Sequence, residues 1–322
     1  MLENKKEILS ELLEELHAGK CENSDGLINK LNELEAYPRD EVVEMINFLI
    51  TQDATPQALF HVVKTIGKYN DESSINPLIE LLLLRGEHKE GCRSPEDFIK
   101  VRCLITNILS NLKDNKAVMP LLYVLNNKEE NYKLRLSSAE ALGRIGDKYA
   151  VIPLIDIVSN EEEKSVYLRE SAAKALGMLN DIRAVDPLIR ILESKKGIMD
   201  KFTFLKEKVI EAIGQIGFQD DKTIKALSSA LMDESPFIRL SAIETLAELN
   251  DDRTFDLIEP MIKDEEEDVA RCAINALYNI AGKDYIINLA QKPDLAGWCK
   301  DEIEMILEEE NEEYDKEYDK YE

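Results

Sequence analysis

The sequence predicts an all-α fold, a solenoid of about seven stacked helix pairs with further helices closing its two ends. Three observations carry that expectation. The phrase "LRLSSAEALGRIGD" (134–147) returns as "LRESAAKALGMLND" (168–181) and, more worn, as "IRLSAIETLAELND" (238–251). Aligned on the first glycine of "ALGRIG", seven positions become equivalent: Gly67, Ser110, Gly143, Gly177, Gly214, Ala247 and Tyr278. The steps between them are 43, 33, 34, 37, 33 and 31 residues, room for two short helices and two turns.

The end helices come first in the chain. Stretches 2–18 and 27–34 read as helices covering the first repeat, because an open solenoid end leaves apolar surface in water. In the first helix of each pair, "SINPLIELL", "AVMPLLYVL", "AVIPLIDIV" and "AVDPLIRIL" each follow an aspartate, Asp71, Asp114, Asp147 and Asp181. A carboxylate there accepts from orphan N–H groups and suits the positive end of the helix dipole. Pro77, Pro120, Pro153 and Pro187 lie a turn or more inside, where each is expected to bend or restart the helix; Ala226 and Leu257 replace them later.

The second helix of each pair has apolar or small residues at offsets −9, −5, −2, −1 and +2 from the glycine column. In the third repeat these are Leu134, Ser138, Ala141, Leu142 and Ile145; in the sixth, Ile238, Ala242, Thr245, Leu246 and Leu249. This is one buried helical stripe. Glycine inside a helix costs roughly 0.5–1 kcal/mol, so its recurrence implies close backbone approach between stacked repeats, ending at Tyr278. After the array, 295–307 reads as a closing helix, and "EEENEEYDKEYDKYE" as a disordered acidic tail. The expected division is 1–38 N-terminal capping helices, 39–283 repeat array, 284–307 C-terminal capping helices and 308–322 tail.

"AVIPLIDIV" followed by "LRESAAKALGMLND" resembles the HEAT repeat in its short, phycocyanobilin-lyase subtype, over about 40–282. The resemblance implies a right-handed α-solenoid. It also implies a basic ladder on the second helices, which Arg102, Arg135, Arg169, Lys206 and Arg239 occupy, with Asp233 and Asp264 in facing turns. The expected role of that ladder is to bridge neighbouring repeats. The ankyrin and tetratricopeptide signatures are missing.

Composition narrows function. The chain is 44% apolar and 33% charged with a formal charge of −25, a field that repels phosphate backbones and argues against nucleic-acid binding. The opening "MLENKKEILSELLEEL" lacks the apolar core of a secretory signal, and no apolar run is long enough for a membrane span, so the expected compartment is the cytoplasm. Cys21, Cys92, Cys103, Cys272 and Cys299 are odd in number and scattered, which reads as free thiols.

Two enzyme classes resemble this scaffold. Di-iron hydroxylases of the HEAT type use His-Glu dipeptides, whereas the histidines here precede Ala18, Val62 and Lys89. Bilin lyases would need a tetrapyrrole pocket, and aromatic residues look sparse in the second-helix columns. His88 and Cys92 lie in the insertion 85–97, whose glycines make it a loop without a complete metal site. The expected function is therefore a non-enzymatic protein-binding scaffold or adaptor without metal or cofactor, with a bilin lyase or lyase-like chaperone subunit as the alternative. Its partners would be proteins or peptide segments, with no nucleic acid and no membrane.

Offsets −6, −3 and +1 form a second stripe, which the resemblance places on the inner face of the array. The expected partner-binding residues are His61, Lys64 and Lys68; Asn107 and Asn111; Glu140 and Arg144; Lys174 and Met178; Glu211 and Gln215; and Glu244 and Glu248. Leu104, Ser137, Ser171, Lys208, Ser241, Cys272, Asn275 and Asn279 complete the stripe, which runs from basic to acidic.

Overall fold

A computed structural model describes residues 2–18, 25–84, 95–194 and 203–318, and every regular element among them is helical. Seven helix pairs follow one another: α3 (Arg39–Ile50) with α4 (Pro56–Gly67), α5 (Ile75–Leu82) with α6 (Ile99–Leu112), α7 (Val118–Asn126) with α8 (Tyr132–Ile145), α9 (Val151–Ser159) with α10 (Val166–Leu179), α11 (Val185–Leu192) with α12 (Thr203–Ile216), α13 (Asp221–Ala230) with α14 (Pro236–Leu249), and α15 (Thr254–Ile258) with α16 (Glu267–Ala281). Before them come α1 (Leu2–Ala18) and α2 (Asp25–Glu33); after them, α17 (Lys283–Ala290) and α18 (Gly297–Tyr318). The protein is an α-solenoid. It divides into two compact units, 1–158 with 167–179, and 159–166 with 180–322.

Four first helices, α5, α7, α9 and α11, open as the aspartates predict. Asp71, Asp114, Asp147 and Asp181 accept from the backbone N–H two residues on, and a 3-10 turn follows each of them. The α-helix then begins at Ile75, Val118, Val151 or Val185, so each proline is the third residue of its helix. This corrects the expectation of a mid-helix bend. In the first turn a backbone N–H has no intrahelical acceptor, so the proline removes nothing and its fixed φ suits the start.

The two glycines of "ALGRIG" do different jobs. A Cβ on Gly143 would sit 2.8 Å from the Cα and 2.9 Å from the Cβ of Ala175 on α10. In the second unit, a Cβ on Gly214 would sit 2.8 Å from Thr245 Cγ2, and in the first unit one on Gly67 would lie 3.0 Å from Ile108 Cδ1. Ile108, Ala175 and Thr245 are all at offset −2 of the next repeat, so one contact recurs down the stack. The second glycine, Gly146, caps α8 with φ of 86°. The same column is left-handed at Asn70, Lys113, Asn180, Gly217 and Asn250, so it is a turn requirement.

The buried stripe is filled as expected: Leu134, Ala141, Leu142, Ile238, Ala242 and Leu246 are at most 2% exposed. The basic ladder is structural. Arg102 donates from Nε to the Leu82 carbonyl (2.7 Å) and from both Nη atoms to Glu130 (2.9 and 2.6 Å). Arg135 reaches the Leu125 carbonyl at 2.9 Å, and Arg169 the Val158 carbonyl at 3.0 and 2.9 Å. In the second unit, Lys206 holds Asp233 at 3.0 Å and Arg239 grips Asp264 at 2.8 and 2.7 Å. Arg102, Arg135 and Arg169 satisfy orphan carbonyls where first helices end, while Arg102, Lys206 and Arg239 pair with a carboxylate in the turn of the next repeat.

Leu27, Leu31 and Leu34 are buried at the first repeat, where α2 packs on α4; Cys299, Ile303 and Ile306 of α18 are buried at the last. The acidic segment from 308 differs from expectation, since α18 continues to Tyr318. Extending an existing helix needs no new nucleus, and Glu and Lys favour helix. His88 and Cys92 fall outside the described residues.

Candidate second-helix binding face

The face starts from a helical offset rule and ends in a pattern of exposed chemistry. At offsets −3 and +1, Lys64, Lys68, Asn107, Asn111, Arg144, Lys174, Met178, Gln215, Glu244 and Glu248 are exposed, while Glu140 and Glu211 are half-buried. At offset −6 the side chains sit between neighbouring helices: His61, Ser137 and Lys208 are half-buried, and Ser171 and Ser241 are buried.

In the first unit the basic end is partly occupied by the chain itself. His61, Lys64, Thr65 and Lys68 line a cavity of about 140 Å³ with Ile28, Leu31 and Asn32 of α2. Glu35 pairs with Lys68 at 3.0 Å. Burial, followed by the Lys64 charge, holds His61 below the ordinary histidine value, so it is neutral near pH 7. Further along, Arg144 donates to Asn107 Oδ1 at 2.9 Å, joining offset +1 of one repeat to offset −3 of the one before.

In the second unit the face is acidic. Lys208 is held by Glu211 at 2.6 Å and Glu207 at 3.4 Å. Burial and then the charges of Glu248, Glu211 and Glu207 raise the Glu244 carboxyl above its usual range. Burial, with Glu244 beside it, pushes the Cys272 thiol up to about 12, so it is protonated and a poor nucleophile. At the last repeat α18 joins the stripe: Asn275 Nδ2 donates to Glu302 Oε1 at 2.7 Å.

The stripe extends one turn further toward each helix start than offsets −6, −3 and +1 reach. Offset −10 shares its face through i, i+4 and i+7 spacing. In successive repeats it holds Tyr167, Phe204 and Phe237, which are 67%, 70% and 64% exposed. This corrects the expectation that aromatics are sparse on the second helices. Read four residues further toward each helix start, the same column count finds them.

Among the described residues, no group of three or more metal-ligating side chains occurs, and no helix is long and apolar enough to cross a membrane.

Comparison with known proteins agrees with this architecture. Residues 119–200 and 200–278 match the family of HEAT repeats, so this span is built of HEAT repeats. No curated protein matches the sequence. Among solved structures, the karyopherin Kap121p bound to the extreme C-terminus of the protein phosphatase Cdc14p is 12% identical, with a TM-score of 0.54 over 92% of this chain and 37% of Kap121p. The complex of CpcE and CpcF of phycocyanin lyase from Nostoc is 24% identical over 65% of this chain and 85% of that one, with a TM-score of 0.41. Human deoxyhypusine hydroxylase is 17% identical over 86% of this chain and 98% of that one, with a TM-score of 0.37. At these identities the likeness to Kap121p is one of fold.

Proposed function

We propose that this HEAT-repeat solenoid is a non-enzymatic scaffold that binds proteins or peptide segments along the second-helix face. One observation carries the reading. In each unit, offsets −3 and +1 present exposed charged or polar side chains, and offset −10 adds Tyr167 in the first unit and Phe204 and Phe237 in the second. Exposed tyrosine and phenylalanine in one column of the second helices support a contact surface there. Kap121p, whose fold is similar, holds a protein terminus in its solved complex, which supports the same use here. The short lyase-type subtype of the repeats rests on the phrases quoted from the sequence.

Capture from native extract with immobilised protein tests this. Partners found by mass spectrometry should bind the native chain and a first-helix variant, Met119→Ser with Tyr123→Ser. They should be lost from a variant carrying Lys64→Glu, Lys68→Glu, Glu244→Lys and Glu248→Lys. Retention by the second and loss from the first would reject the face. A tetrapyrrole that bound and changed its absorption spectrum would favour the lyase-like alternative.

A further inference from the structure

We infer that the second-helix face of the second unit docks a basic linear peptide segment that carries an apolar side chain at every third residue. This rests on the reading of that face as the protein-binding surface and adds the chemistry of the partner.

The anchors are Phe204 on α12 and Phe237 on α14, both about two-thirds exposed. Scattered exposed apolar residues are ordinary, but these two occupy one column on helices that pack directly together. Rigid aromatic rings offer large contact area at small entropic cost. On the same side lie Glu207, Glu211, Glu244 and Glu248, whose only ammonium on the stripe, Lys208, is already held by Glu211 and Glu207. The surface beside the rings therefore carries excess negative charge, and a lysine or arginine side chain complements it. Partial burial and the repulsion of Glu248, Glu211 and Glu207 already disfavour ionised Glu244, and an incoming cation offsets the repulsion.

Spacing sets the form of the segment. The Gly214–Thr245 contact keeps α12 and α14 close, and packed helices lie about 8–10 Å apart. A polyproline II backbone rises about 3.1 Å per residue with three residues per turn, so residues i and i+3 share a face about 9.3 Å apart. Such a segment places one apolar side chain against each phenylalanine and leaves the intervening positions for cations facing the glutamates.

The test uses fluorescein-labelled twelve-residue peptides and the full chain, read by anisotropy. The probe is four copies of Leu-Pro-Lys; the controls are four copies of Ser-Pro-Lys and of Leu-Pro-Glu. The Leu-Pro-Lys peptide should bind, the serine control should bind at least tenfold more weakly, and the glutamate control should not bind. Phe204→Ala with Phe237→Ala should weaken the probe at least tenfold while the melting temperature stays unchanged, because both rings are exposed. Glu244→Gln with Glu248→Gln should weaken the probe and flatten its salt dependence. Absence of probe binding, or equal affinity for the phenylalanine double variant, overturns the inference. If the glutamate control binds and Lys64→Glu with Lys68→Glu abolishes that binding, the second-helix face stands and this partner chemistry falls. Sedimentation covers the other occupant: a native dimer that the phenylalanine double variant converts to monomer would assign the surface to a second copy and overturn the inference.

Discussion

Replacing Gly143 by alanine should destabilise the protein although it removes a helix-interior glycine. Two opposing quantities decide the sign. Alanine is favoured over glycine by about 1 kcal/mol in a helix interior. Against that, the new Cβ would stand 2.8 Å from Ala175 Cα, 2.9 Å from Ala175 Cβ and 3.2 Å from Met178 Sδ. Ordinary carbon contacts are about 3.5–4.0 Å, so α8 and α10 must part by roughly 0.7–1.2 Å, and a backbone atom cannot rotate away. Overpacking of that kind costs about 1–3 kcal/mol, which leaves a net loss of up to about 2 kcal/mol. Gly67→Ala is the control. Its Cβ meets only Ile108 Cδ1 and Cγ1, at 3.0 and 3.2 Å, the end of a flexible side chain that can turn aside. The propensity gain survives there, and the net effect should lie within about 0.5 kcal/mol of zero or be stabilising. Urea unfolding followed by far-ultraviolet circular dichroism measures both, with unchanged m-values as the condition for comparing midpoints. Gly143→Ala as stable as Gly67→Ala would refute the packing argument for the glycine column.

Other expectations follow from single interactions. Arg239→Met should cost roughly 2–3 kcal/mol, because it strands Asp264 and leaves the Asp233 and Glu234 carbonyls without a donor. Burial raises the Asp264 carboxyl, but its bonds from Arg239 and the Glu266 N–H hold it below the usual range. That stability is therefore present at neutral pH and lost in acid, so the penalty measured by urea unfolding should shrink as pH falls below about 3.9. Lys113 caps α6 with φ of 53°, so Lys113→Gly should raise the melting midpoint by a stability gain of about 0.5–1 kcal/mol, while Gly146→Ala should lower it by about 1 kcal/mol. Glu244 has a raised carboxyl value, so its ionised form is the destabilising one. Glu244→Gln should stabilise at pH 7 by a few tenths of a kcal/mol, discounted for its exposure, and the gain should vanish as pH falls through the carboxylate range.

Legibility in the sequence followed how local each physical cause was. The aspartate caps, the buried offsets and the glycine column each repeat a short-range rule in several repeats, so aligned copies expose them. The prolines show the limit: their column was visible, but their effect depends on where the helix hydrogen bonds begin, which the preceding 3-10 turn sets. The left-handed column was hidden because lysine and asparagine stand in it beside glycine. On the candidate face, the alternation of exposed offsets followed from helical periodicity. The approach of α2 to Lys64 and Lys68, and the engagement of Asn275 by Glu302, did not, since both depend on how end helices fold back. The aromatic column is legible in the sequence once offset −10 is added to offsets −6, −3 and +1, since helical periodicity places all four on one face.

The central claim is that partners bind the second-helix face, and hydroxyl-radical footprinting of the protein with a captured partner measures this directly. Tyr167, Met178, Phe204 and Phe237 on that face, and Met119, Tyr123 and Tyr149 on first helices or their opening turns, are all exposed and readily oxidised. Partner binding should protect side chains of the first set and leave oxidation of Met119, Tyr123 and Tyr149 unchanged. Protection of the second set with continued oxidation of Tyr167, Met178, Phe204 and Phe237 would contradict it.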